Sequence, residues 1–173
     1  MNETLITQAT KIAKKVHEHQ VDKKNYPYMS HVLDVASRVS HLGESFEIVG
    51  LLHDAIEDSE SDDLLNEILE EMNTYFDEEV LDAIHAMTKI PGEEYFNEYL
   101  PRLKKNKIAL QVKIADSSHN LSKAHLIEEK ILQDKLRNKY IKVLNELGVD
   151  GKNCEKRIIN IDGKWIRKSE KYL

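Results

Sequence analysis

The stretch Gly50-Leu51-Leu52-His53-Asp54-Ala55-Ile56-Glu57-Asp58-Ser59 decides how the rest of the chain is read. A nearly continuous apolar run from about Phe46 to Ile56 predicts a central buried helix, yet polar and ionisable side chains crowd its end. On a helix His53 and Glu57 share one face and Asp54 and Asp58 the adjacent one, so the four project together. Carboxylates gathered this closely repel one another unless a cation, protons or water offsets them. The adjacent imidazole makes a divalent transition metal the simplest solution. A metal site built on this helix is therefore expected, with the other ligands supplied from elsewhere in the chain.

Working outward, Leu5, Ala9, Ile12, Ala13 and Val16 recur at helical spacing and predict a helix over about 4–20, capped by Asn2 or Thr4. A loop over 21–27 carries Lys23 and Lys24. Ser30 is placed to cap a second helix with the stripe Val32, Val35, Ala36, Val39 and Leu42, ended by Gly43, and His31 falls in its first turn. Downstream, 61–72 and 77–87 read as surface helices. After the Pro91-Gly92 break, 93–103 reads as a further helix with Tyr95, Phe96 and Tyr99 in the core and Pro101 shortening its end. The apolar run 108–115 predicts a core helix followed at once by Asp116, and 132–147 a long amphipathic helix stopped by Gly148. The period then changes: Ile159, Ile161 and Ile166 flank Asp162-Gly163, a strong hairpin signal. The expected architecture is an all-α helical bundle over residues 1–148, followed by a tail over 149–173 that forms a small C-terminal β-hairpin or an extended segment.

Composition narrows the function classes. The 173 residues suit a single domain with its own core, and the net charge of -6 argues against a nucleic-acid partner, which needs a basic footprint. The lone cysteine, Cys154, excludes an internal disulfide. The N-terminus is unlike a signal peptide, and no apolar run has the length to span a bilayer, so a soluble cytoplasmic protein with no membrane partner is expected.

The order His31, then His53-Asp54, then Asp116 resembles the motif of the HD superfamily of metal-dependent phosphohydrolases, an all-helical fold. The likeness is closer to its RelA/SpoT-like hydrolase branch. It rests on Pro27-Tyr28-Met29-Ser30-His31, on Leu51 to Ser59, and on Val112-Lys113-Ile114-Ala115-Asp116-Ser117-Ser118-His119-Asn120, and covers roughly residues 5–147. A single His-Asp pair carries no weight; three motifs in order do.

Two imidazoles and two carboxylates leave open positions on a six-coordinate ion, and mixed nitrogen and oxygen ligation favours Mn²⁺, Fe²⁺, Co²⁺ or Zn²⁺ over Ca²⁺. Water on such an ion loses a proton more easily and attacks phosphorus near neutral pH. Glu57 is placed to orient that water and shuttle its proton, and Asp58 to hold Glu57 or a second water. The resemblance implies these same roles: His31, His53, Asp54 and Asp116 as metal ligands, Glu57 and Asp58 acting on the nucleophile, and Mn²⁺ as the usual metal, with Fe²⁺, Co²⁺, Zn²⁺ or Mg²⁺ as alternatives. It further implies substrate contacts from Lys23, Lys24 and Asn120, with Tyr140 lining the same pocket.

The sequence departs from that family pattern at Asp22, where an arginine is usual, at Val32 in place of proline, and at Ser117 in place of arginine. His17, His19, His41, His85 and His125 read as surface or packed residues rather than ligands. The chain is too short for the synthetase and regulatory domains of long RelA/SpoT proteins, so hydrolysis alone is expected. The expected reaction is removal of the 3′-pyrophosphate of a (p)ppGpp-like guanosine nucleotide. Alternatives are hydrolysis of another nucleotide or phosphate ester, and a non-catalytic nucleotide sensor that keeps the metal.

Overall fold

The structure is a computed structural model and describes residues 3–22, 25–156, 158–161 and 164–167. The chain divides into two compact units, Met1–Ala115 and Asp116–Leu173. The described residues are overwhelmingly helical, as the periodicity requires, and no described helix is long and apolar enough to cross a membrane.

In the first unit α1 (Leu5–His17) begins at Thr4, whose hydroxyl accepts the Thr7 amide, and buries Ala9, Ile12, Ala13, Val16 and His17. Helix α2 (Tyr28–Val39) buries the stripe Val32, Val35, Ala36 and Val39 with His31 at its head. It starts two residues before Ser30, because Pro27 ends the preceding loop and the Tyr28 amide bonds the Gln20 carbonyl; no side chain caps it. Helix α3 (Glu44–Leu52) is the centre of the unit and packs against α1, α2 and α5. Five consecutive residues, Ile48 to Leu52, are buried, so this helix is enclosed on nearly all sides.

Helix α4 (Asp62–Tyr75) is capped by Ser61 and opens with Asp62 and Asp63 at the positive end of its dipole. Its buried residues Ile68 and Met72 turn inward, and Lys15 of α1 bridges Glu67 and Glu71 on its surface. Helix α5 (Glu78–Met87) is capped by Asp77 and buries Val80, Ala83, Ile84 and Met87.

Further boundaries differ from the sequence reading. The central helix ends at Leu52, not Ile56, and His53 to Asp58 turn in a tight bend tied by Ala55 N–H to Leu52 O and Asp58 N–H to Asp54 O. The segment 93–103 is a π-helical turn, Tyr95–Tyr99, leading into a short α6 (Leu100–Leu103). Pro101 lies at the start of α6 rather than the end of a helix; lacking an N–H, it fits a first turn, and the wide turn before it absorbs the break. Of the aromatic trio only Tyr99 is fully buried.

Helix α7 (Lys107–Ala124) does not stop before Asp116. It continues because Ser117, Leu121 and Ala124 prolong a buried stripe, which puts Asp116 in mid-helix. The second unit continues with α8 (Lys130–Glu146), closed by Gly148 at φ 86°, a conformation suited to glycine, and with α9 (Gly151–Lys156). Strands β1 (Ile158–Ile161) and β2 (Lys164–Arg167) pair antiparallel from Ile158↔Arg167 to Ile161↔Lys164. The turn expected at Asp162-Gly163 lies outside the described residues.

Candidate metal centre

His31 enters the site from the first turn of α2, and His53 from the residue that caps the C-terminus of α3. Their closeness depends on the α2–α3 contact. A Cβ built on Gly50 would lie 2.7 Å from the Ala36 Cα, so only glycine lets the two backbones approach this far. The turn beginning at His53 then sets Asp54 beside both rings. Donor atoms of His31, His53 and Asp54 all lie within 4.8 Å of one another. The two Nε2 atoms are 3.1 Å apart, His53 Nε2 is 3.0 Å from Asp54 Oδ2, and His31 Nε2 is 3.7 Å from the same oxygen.

The tautomer of His53 follows from its other nitrogen. Nδ1 is 2.9 Å from the Gly50 carbonyl oxygen, which can only accept, so Nδ1 carries the proton. In the neutral ring Nε2 then presents a lone pair to a carboxylate oxygen and to a second imidazole, an arrangement that needs positive charge between the three. Partial burial opposes ionisation of Asp54, but positive charge at His53, hydrogen bonds from His31 and His53, and Lys113 outweigh it and hold the carboxyl well below its usual range. A cation at the imidazole edges meets the same electrostatic demand.

The donor triangle fits a metal ion. Neighbouring ligands bonded at the usual ~2.1 Å to one ion stand about 3 Å apart, close to the separations here. The His53 Nδ1–H to carbonyl bond is the outer contact that aims a metal-binding imidazole. The site can therefore hold a divalent cation through His31, His53 and Asp54.

Two supporting residues carried no role in the sequence reading. The Tyr28 hydroxyl donates to Asp54 Oδ2 at 2.5 Å, fixing the carboxylate, and its ring stands between those of His17 and His31, at 5.0 and 5.2 Å. Its spacing of three from His31 on one helix was the available signal. His17 is wholly buried, hydrogen-bonded to Gln20 through Nδ1 at 2.7 Å, while its Nε2 has no hydrogen-bond partner. Burial lowers its pKa and keeps the ring neutral.

Glu57 and Asp58 do not join the donor triangle. Glu57 is exposed, and its Oε1 accepts the Lys89 backbone N–H at 2.5 Å. The Asp58 backbone carbonyl accepts from Gln20 Nε2 at 3.0 Å, and burial, then the charges of Asp54 and Glu57, raise its carboxyl pKa to about 6. Asp116 is buried in α7 and accepts from Asn120 Nδ2 at 2.5 Å. Tyr140 is half-buried on α8 with the Lys139 ammonium 5.5 Å from its ring centroid. Lys23 and Lys24 lie outside the described residues. Asp22, beside them, accepts the Tyr26 amide at 3.1 Å and so braces its own loop.

Two imidazoles and a carboxylate, presented by the ends of two packed helices and the turn between elements, define a helical metal-binding domain. The chain belongs to the HD domain family, whose profile matches residues 9–129. It is 31% identical over 164 residues to the GTP pyrophosphokinase of Myxococcus xanthus, covering 84% of this chain and 21% of that protein. It is 33% identical over 102 residues to the guanosine-3′,5′-bis(diphosphate) 3′-pyrophosphohydrolase of Aquifex aeolicus, covering 58% of this chain and 14% of that one. The protein of the same name from Borreliella burgdorferi is 28% identical over 162 residues, 83% and 23% of the two chains. The chain thus spans only 14–23% of the length of these curated relatives. A solved structure described as "A metazoan ortholog of SpoT hydrolyzes ppGpp and plays a role in starvation responses" matches 90% of this chain and 92% of its own at a TM-score of 0.70 and 20% identity, a likeness of fold. The expected all-α HD-domain fold is the one observed.

Proposed function

We propose that the protein is a divalent-metal-dependent phosphohydrolase that removes the 3′-pyrophosphate of a (p)ppGpp-like guanosine nucleotide. The observation that carries this reading is the His31, His53 and Asp54 donor triangle, followed in the chain by the carboxylates of Glu57 and Asp58. The names of the Aquifex and Borreliella relatives support the substrate. His31, His53 and Asp54 would hold the ion, with Asp116 as a fourth ligand, and Mn²⁺ is the metal of choice. When bound, such an ion supplies Lewis acidity toward water and screens phosphate charge.

The chain's own groups do the rest. Tyr28 keeps Asp54 turned toward the imidazoles. Glu57, with Oε1 committed to the Lys89 amide, keeps Oε2 to accept a proton from the attacking water. Asp58, the next residue, would hold Glu57 or a second water. Lys23, Lys24, Asn120 and Tyr140 are the proposed substrate contacts. Incubation of Mn²⁺-loaded protein with ppGpp should release GDP and pyrophosphate, and intact ppGpp would refute the narrow reading.

A second reading keeps the chemistry and changes the substrate to another nucleotide or phosphate ester. Asp22 favours it, since it stands where the RelA/SpoT-like family usually has an arginine and instead accepts the Tyr26 amide. A panel of phosphate esters, read out as phosphate, pyrophosphate or nucleoside, separates the two.

A further inference from the structure

Glu57 is held by a backbone amide, and the orientation of that amide has a traceable cause. Thr88 C=O and Lys89 N–H belong to one planar peptide unit, so fixing one end fixes the other. Lys89 N–H donates to Glu57 Oε1, while the Thr88 oxygen accepts from Arg102 Nη2 at 2.9 Å. A guanidinium at the carbonyl end and a carboxylate at the amide end polarise the same peptide in the same sense, and each strengthens the other.

Arg102 is itself held on several sides. Its Nε and Nη2 donate to the two carboxylate oxygens of Glu93 at 2.7 and 2.9 Å, and Nη1 reaches the carbonyls of Ala86 and His85 at 3.3 and 3.4 Å. The Tyr99 ring centroid lies 5.6 Å from its guanidinium carbon, and the Tyr99 hydroxyl donates to the Met87 carbonyl oxygen at 2.6 Å. Arg102 and Tyr99 between them collect the carbonyls that α5 leaves open at its C-terminus. Glu93 closes the far side of the loop, accepting the Ile90 amide at 3.1 Å while its own amide bonds the Ile90 carbonyl at 3.0 Å. The loop is therefore pinned on both sides of Lys89. The hydrogen bond from Arg102, above all, lowers the Glu93 pKa to about 2, so the clamp is fully charged at neutral pH.

We propose that Arg102 is a positioning residue that orients Glu57 through the single Thr88–Lys89 peptide. Its effect on catalysis rests on the phosphohydrolase reading above; its effect on the Lys89 amide does not. Lysine cannot meet Glu93 bidentately and reach three carbonyls at once, so Arg102→Lys frees this peptide while keeping the charge.

The test combines an amide proton resonance with kinetics in the full-length protein. Glu57→Gln should move the Lys89 amide proton upfield, Arg102→Lys should do the same, and the double variant should add little to either. With Mn²⁺ and ppGpp, Arg102→Lys should lower kcat about tenfold or more with KM within about twofold, and that loss should vanish in the Glu57→Gln background. A purely structural arginine would give losses that multiply. If Arg102→Lys does not fold, Glu93→Gln, which keeps the arginine and loosens its anchor, should shift Lys89 in the same direction. A Lys89 amide unmoved by the folded variant overturns the proposal. A moved amide, with ppGpp hydrolysed by Glu57→Gln as fast as by the parent, sustains the coupling and overturns the catalytic effect of Arg102, whereas ppGpp left intact by the parent overturns the phosphohydrolase reading instead.

Discussion

Gly50 and Ala36 are in backbone contact: a methyl group on the first would stand 2.7 Å from the Cα of the second. That contact joins the helix bearing His31 to the helix bearing His53, and the Gly50 carbonyl is also the acceptor for His53 Nδ1. Gly50→Ala should therefore push α2 from α3, costing roughly 1–3 kcal/mol as overpacked cores do, and weaken metal binding along with stability. Urea unfolding and a metal titration on the same variant check both. Lost stability with unchanged metal affinity would separate the packing from the site.

Tyr28→Phe keeps the ring that stands beside His17 and His31 and removes only the hydroxyl that holds Asp54. Loss of an outer contact of this kind typically lowers metal affinity about 10- to 100-fold. Competition with a chelator measures it, and an affinity within twofold of the parent would show that Asp54 needs no such support.

Asp58 offers a stability test whose sign is set by its raised pKa. Its carboxyl titrates at about 6 in the folded chain, against an ordinary 3.8, so between those values the folded state binds the extra proton. Stability of metal-free protein should fall as pH rises through that window, and the penalty should persist above it. Two pKa units correspond to roughly 3 kcal/mol before screening, and the carboxyl is partly exposed, so about 1 kcal/mol is expected. Asp58→Asn should thus stabilise chelator-stripped protein at pH 7 by about that amount and change little below pH ~4. Destabilisation at pH 7 would mean that the ionised carboxylate has a favourable partner.

The grouping of His31 with His53 and Asp54 was legible because ligand chemistry is written in residue types, and the helical stripes that carry them are plain in the sequence. Other features left no such trace. The Lys89 contact to Glu57 uses a backbone amide, which every residue type but proline supplies, across 32 positions of chain. The end of α3 at Leu52 could not be read from an apolar run that continues through Ala55 and Ile56. Asp116 looked like a terminus because the apolar run stops there, whereas Leu121 and Ala124 carry the buried stripe of α7 onward. Pro101 was read as a stop, although a proline is equally at home in a first turn.

The Asp54 carboxylate and two imidazoles are proposed to hold one divalent cation. Equilibrium dialysis against Mn²⁺, comparing the parent with Asp54→Asn at matched helical circular dichroism, addresses it without reference to any substrate. One tightly held Mn²⁺ per parent chain and none on the variant is the result predicted here; equal occupancy of both proteins would contradict it.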